Sequence, residues 1–121
     1  MIDDQADFLE PMSFWMRAKG YQVQTALNGA AGIDLLKADS FDVVFLDFKM
    51  PDQNGVEVLT KIREFNPTIP VVMITSHADD ALVYQTKELN ISGFFLKMGD
   101  FKDLEQLLEV VLRGLRRAKQ S

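Results

Sequence analysis

The chain has 121 residues, 47% hydrophobic and 26% charged, which suits one globular domain spanning residues 1–121 and leaves no room for a second of ordinary size. No apolar run approaches the ~20 residues of a membrane span, and the acidic start Met1-Ile2-Asp3-Asp4 lacks the basic segment and apolar run of a secretory signal. With no Cys, one His and a net charge of -5, disulfides, thiol nucleophiles, Cys-based zinc and His-rich metal sites are excluded, a general phosphate-backbone binder is disfavoured, and a cytoplasmic setting is expected.

Short apolar strands alternate with amphipathic helices. Asp7 to Lys19 carries Phe8, Met12, Trp15 and Met16 at helical spacing, and Gly20 ends the helix in the left-handed position. Pro11 lies inside it and frees the carbonyl of Asp7, which predicts a kink or a late start. Tyr21 to Thr25 alternates weakly and reads as a strand; Asn28-Gly29 starts a helix with Ile33, Leu35 and Leu36 inward. Phe41 to Phe48 holds a nearly continuous apolar run, as a strand buried on both faces does. Met50 to Asn54 is a loop, and Gly55 to Phe65 a helix with Val58, Leu59 and Ile62 inward. Gly55 serves the close approach of that loop to the helix rather than chemistry. Val71 to Thr75 is a buried strand, Asp79 to Leu89 a helix, and Ile91 to Leu96 a strand. Asp100 caps a last helix whose apolar side carries Phe101, Leu104, Leu107, Leu108, Val111, Leu112 and Leu115. Its basic end, Arg113, Arg116, Arg117 and Lys119, complements the negative helix terminus and is a solvated surface. The alternation predicts a parallel sheet covered on both faces, with right-handed crossovers.

Ligands of such sheets bind at the carboxyl ends of the strands. Asp3 and Asp4 follow Met1-Ile2, Asp47 follows Val43 to Leu46, Thr75 and Ser76 follow Val71 to Ile74, and Lys97 follows Phe94 to Leu96. Carboxylates crowded within ~5 Å repel at ~3 kcal/mol per pair at an effective dielectric near 20, so Asp3, Asp4 and Asp47 need a cation. Hard oxygen donors favour Mg²⁺, and with Lys97 the charges then balance to zero. A phosphoryl group arriving on one carboxylate meets two cationic partners and a hydroxyl donor, which is most of what phosphoryl transfer requires.

Ile2-Asp3-Asp4, Val43 to Gly55 (VVFLDFKMPDQNG), Val71 to Ala78 (VVMITSHA) and Gly93 to Lys97 (GFFLK) resemble, in order and separation, the receiver domain of two-component response regulators. The resemblance covers almost the whole chain. It implies a flavodoxin-like (CheY-like) α/β fold with a five-stranded parallel sheet in the order 2-1-3-4-5. It implies Asp47 as phosphoacceptor, taking its group from a sensor histidine kinase or a histidine phosphotransfer protein. Asp4 and, partly through water, Asp3 bind Mg²⁺ with Asp47 and the backbone carbonyl of Lys49. Thr75 is the switch hydroxyl, Lys97 pairs with the phosphoryl group, and Phe94 is the switch aromatic. Lys49 and His77 flank the pocket at positions that tune phosphoryl lifetime. The output face is that of the fourth helix, fifth strand and fifth helix, roughly Asp79 to Leu115, used by a downstream target or dimer partner. No direct nucleic-acid or membrane contact and no independent enzymatic substrate are expected.

Three departures stand out. Only Met1 and Ile2 precede Asp3, against a usual strand of ~5–6 residues, so the first strand is largely missing, edges and a gap in the core are expected, and Met1 is expected to be internal to a longer natural chain. Met98 follows Lys97 where the family has a cis Pro, and a cis bond before Met costs ~2.5–4 kcal/mol, so a trans bond is expected. Pro11 interrupts the first helix. Two other classes compete: a non-phosphorylated receiver-like interaction module or a fragment of a longer regulator, and an Asp-nucleophile phosphatase of the haloacid-dehalogenase kind. The phosphatase needs a second Asp two residues after the first, where this chain has Lys49.

Overall fold

The computed structural model describes residues 1–51, 53–76 and 84–120, with the main chain alone at 87 and 116–120. Three strands, β1 (Val44–Asp47), β2 (Val71–Thr75) and β3 (Gly93–Leu96), pair in parallel in the order β1-β2-β3, with Asp47 opposite Ile74 and Thr75 opposite Leu96. The longer helices among the described residues are α1 (Ala6–Ala18), α2 (Gly29–Ala38), α3 (Gly55–Phe65) and α4 (Phe101–Gln120).

Every residue of β1 and β2 is buried, which is why these two strands read as unbroken apolar runs. Their side chains alternate between two cores. Val44, Leu46, Val71 and Met73 pack with Val58, Leu59 and Ile62 of α3, and the flank of α2 leans on them. Phe45, Val72, Ile74 and Phe95 pack with Met16 of α1 and Leu104, Leu108 and Val111 of α4. The helices begin where their capping residues predict. Asn28 Oδ1 accepts from Ala31 N–H at 2.8 Å, Asn54 Oδ1 from Glu57 N–H at 2.9 Å, and Asp100 Oδ1 from Asp103 N–H at 3.1 Å, each filling an N-terminal donor left open by the helix.

The sheet is wider than its ladders. Ile2 forms single parallel bridges to Ala26 on one side and Leu46 on the other. Ile2 N–H donates to Phe45 O at 2.7 Å and Asp47 N–H to Ile2 O at 2.8 Å; Asp3 N–H donates to Ala26 O at 3.0 Å and Ala26 N–H to Met1 O at 2.9 Å. The lateral order is therefore Ala26, Ile2, β1, β2, β3, the expected 2-1-3-4-5 with its first two members reduced to bridge residues. The strand predicted at Tyr21 to Thr25 does not form. The short stub offers it a partner only at Ala26, and its carbonyls turn to other donors: Val23 O accepts from Arg17 Nη2 and Gln24 O from the Met1 amine, both at 2.8 Å. A cleft of about 30 Å³, partly open to the surface, is lined by Met1, Ile2, Ala26, Phe41 and Val43 among others.

Helix α1 starts at Ala6 and runs through Pro11, so the late start does not occur. Gly20 follows it at φ 98°. No peptide bond among the described residues is cis, so Lys97–Met98 is trans. Residues 84–86 are helical and pass into a 3-10 turn, Lys87–Leu89; the start of the helix predicted from Asp79, with Asp80 and His77, lies outside the described residues.

Candidate functional site

Parallel strands bring all their carboxyl ends to one edge, and the polar residues picked out there converge. Asp47 ends β1, Thr75 ends β2, Lys97 follows β3, and Asp3 and Asp4 follow the bridge residue Ile2. Asp3, Asp4 and Asp47 each offer a carboxylate oxygen, all within 4.8 Å of one another. Asp3 and Asp47 are 0% and 2% exposed, so their charges are taken out of water. Lys97 Nζ lies 3.0 Å from Asp3 Oδ2, 3.2 Å from Asp3 Oδ1 and 3.4 Å from Asp47 Oδ2. The Lys97 main chain is fixed by its own N–H, which donates to Thr75 O at 2.9 Å.

Burial, then the Asp3 charge, pushes the Asp47 carboxyl up to about 7, against the opposing pull of Lys97 and the Lys49 N–H. That N–H donates to Asp47 Oδ1 at 3.4 Å, so Lys49 enters the site through its amide. The site carries more carboxylates than the single ammonium neutralises. Asp3 Oδ2 is buried and accepts no hydrogen bond, although Lys97 sits beside it. A clustered all-oxygen donor set with one orphan oxygen fits a small hard divalent cation such as Mg²⁺.

The approach of α3 to this edge depends on Gly55. A Cβ there falls 2.6 Å from Asp47 O and 2.7 Å from Phe48 Cα, both main chain. Gly55 N–H donates to Phe48 O at 2.6 Å, closing the loop over the acidic end of β1. Strand alternation puts Thr75 on the face of Val71 and Met73, and Phe94 packs against the core on that face. Thr75 is buried and Phe94 half-buried.

Two residues at this site carry no signal that the sequence reading used for function. Gln5 Oε1 accepts from Lys97 Nζ at 2.6 Å, and the Phe8 ring lies 5.2 Å from that ammonium. Phe8 was legible only as part of a helical stripe. Gln5 is a poor capping residue at a helix start, and asking where its side chain goes instead would have pointed to it.

The family model for the response regulator receiver domain matches residues 1–109. The transcriptional regulatory protein ZraR of Klebsiella oxytoca is 28% identical over 116 residues, covering 96% of this chain and 26% of that protein; this chain thus spans about a quarter of that regulator. The sporulation initiation phosphotransferase F of Bacillus subtilis is 26% identical, and the match covers 93% of this chain and 90% of that protein. Among solved structures, a CheY-like response regulator receiver domain protein from Methanospirillum hungatei superposes with a TM-score of 0.87 at 22% identity, over 96% of this chain and 94% of that one.

Proposed function

Because the chain belongs to the response regulator receiver domain family, we propose that its 121 residues work as one phosphoacceptor domain of a cytoplasmic two-component relay, with Asp47 as the acceptor. The observation that carries this reading is a buried Asp47 within 4.8 Å of two further carboxylates and 3.4 Å from Lys97.

A carboxylate oxygen of Asp47 attacks the phosphorus of a phosphohistidine on a sensor histidine kinase or histidine phosphotransfer protein. The O–P bond forms, the P–N bond breaks, and its electron pair returns to the imidazole nitrogen. The product is an aspartyl phosphate, which water later hydrolyses to the free carboxylate and phosphate. Asp47 must be ionised to attack, and the neighbouring ammonium of Lys97 favours that form. Lys97 then shifts its hydrogen bond from Asp47 to a phosphoryl oxygen, and the Thr75 hydroxyl donates to another. Asp3, Asp4, Asp47 and the Lys49 carbonyl would hold Mg²⁺, which when bound neutralises charge on the carboxylate and the incoming group. Thr75 and Phe94 share one face of the sheet, so movement of Thr75 toward the phosphoryl group opens room for Phe94 to turn inward. That coupling shifts a two-state equilibrium and alters the face beyond β3, where a downstream target or dimer partner docks. The domain takes up and loses its own phosphoryl group and has no independent substrate.

The test is incubation with Mg²⁺ and acetyl phosphate, read by intact mass. One phosphoryl adduct is expected on the wild-type protein and none on Asp47→Asn. No adduct on folded wild-type protein would leave a non-phosphorylated interaction module, and an adduct surviving in the variant would move the acceptor elsewhere.

A further inference from the structure

We infer that Gln5, with Phe8 beside it, is a positioning residue that holds the Lys97 ammonium in the place from which it meets an arriving phosphoryl group; this rests on the phosphoacceptor reading above.

A lysine ammonium has three N–H donors. Here its acceptors are Asp3, Asp47 and Gln5, and the bond to Gln5 Oε1, at 2.6 Å, is the shortest of them. The Phe8 ring, 5.2 Å away, supplies the negative face of its π-system to the same charge. Phe8 is itself set by contact with Phe95 of β3, ring centroids 6.4 Å apart. Lys97 is thus gripped from the α1 side as well as from the acidic pocket.

Gln5 gives something up to do this. It is the N-cap residue of α1, yet its side chain makes no capping bond. The turn is tied down by main chain instead: Gln5 O accepts from Phe8 N–H at 3.0 Å and Leu9 N–H at 3.1 Å, and Gln5 N–H donates to Asp3 Oδ1 at 2.9 Å. The last bond anchors Gln5 to the acidic residue it shares Lys97 with. An Asn, Asp or Ser would cap the helix better, but none has the length of Gln.

The amide is also uncharged. It takes one donor of Lys97 without adding to the negative charge that an anionic phosphoryl donor meets. Without it, the ammonium either collapses onto the carboxylates or swings to solvent, since its side chain is already 13% exposed. In neither place is it set for the phosphoryl oxygen.

Gln5→Asn separates positioning from capping. A capping role alone has Asn match or exceed Gln in stability and leave Lys97 untouched. The positioning role has Gln5→Asn fold as well as wild type while phosphorylation by acetyl phosphate with Mg²⁺ slows about ten- to hundredfold, the scale of one lost bond to a charged group. Gln5→Ala is expected to slow it equally, and Phe8→Leu about threefold. The Lys97 Nζ–Hζ NMR cross-peak, assigned by its loss in Lys97→Met, reports the ammonium directly. It is expected to be sharp in wild type and in Gln5→Glu, which keeps the acceptor, and to broaden in Gln5→Asn. Wild-type rates and an unmoved cross-peak in both Gln5→Asn and Gln5→Ala would overturn the inference. If the wild-type protein takes no phosphoryl group, the phosphoacceptor reading falls by itself, and the cross-peak in Gln5→Asn still decides whether Gln5 holds Lys97.

Discussion

Asp47 is held in a state that works against the fold, and this sets a measurable dependence of stability on pH. Its carboxyl is raised from 3.8 to about 7, first by burial and then by the Asp3 charge. In the unfolded chain the same group ionises near pH 4. Between pH ~4 and ~7 the folded protein therefore binds the additional proton, and stability must fall as pH rises through that window. At ~1.4 kcal/mol per pKa unit the loss is at most about 4 kcal/mol once pH exceeds 7, a large share of the 5–15 kcal/mol typical of a domain. Asp47→Asn removes the ionisation at nearly constant shape. In EDTA, urea unfolding of both proteins from pH 4.5 to 8 should give the smallest difference in stability at the acid end. The variant should gain steadily toward pH 8, by up to that amount. Comparing the two proteins at each pH cancels the carboxylates they share. Adding Mg²⁺ at pH 8 should close the gap, because a ligand that binds only the folded state adds stability and the variant has lost one of its carboxylates. A difference between the two proteins that stays flat across the range, or a variant less stable than wild type at pH 8 in EDTA, would refute the reasoning.

Gly55→Ala places a Cβ 2.6 Å from Asp47 O and 2.7 Å from Phe48 Cα, neither of which yields cheaply; a loss of about 1–3 kcal/mol is expected in denaturant unfolding, with weaker Mg²⁺ binding because the end of β1 must shift. Arg63 donates to four carbonyls, Leu89 O at 2.9 Å, Asn66 O at 3.2 Å, Ile69 O at 2.7 Å and Asn90 O at 3.0 Å, tying α3 to the turn before β3. Arg63→Met should cost about 2–4 kcal/mol and speed amide exchange at residues 89–92, and Arg63→Lys should not restore it, because an ammonium cannot fork to these acceptors. Asp3→Asn removes the buried carboxylate that pairs with Lys97 at 3.0 Å; the rise in melting temperature that Mg²⁺ gives the wild-type protein should be absent in the variant, and an equal rise in both would place the cation elsewhere.

The two central strands were legible because burial on both faces writes an unbroken apolar run, and Val44 to Asp47 and Val71 to Thr75 are buried throughout. Their carboxyl ends, and with them Asp47 and Thr75, followed from parallel geometry, as did Lys97 at the end of β3. Tyr21 to Thr25 failed for a reason no local pattern contains: a strand needs a row of partners, and here the neighbour reaches it only at Ala26. Phe8 misled in the other direction, since helical spacing marks it as apolar and cannot reveal that its ring faces an ammonium. The stub at Ile2 leaves the acidic residues that follow it in place beside Asp47. The pocket lies at the carboxyl edge, so it draws only on the last residues of the first strand position, and those are the ones held. Ile2 bonds to Phe45 and Asp47 on one side, its neighbours Met1 and Asp3 bond to Ala26 on the other, and Gly32 of α2 leaves the space that the Ile2 side chain fills. The cleft opens on the far side of Ile2, among Phe41, Val43 and Ala26. It leaves Asp3 and Asp4 anchored beside Asp47. Stability and chemistry thus draw on opposite ends of the same position in the sheet, which is why filling the cleft should raise the melting temperature with little effect on Mg²⁺ affinity.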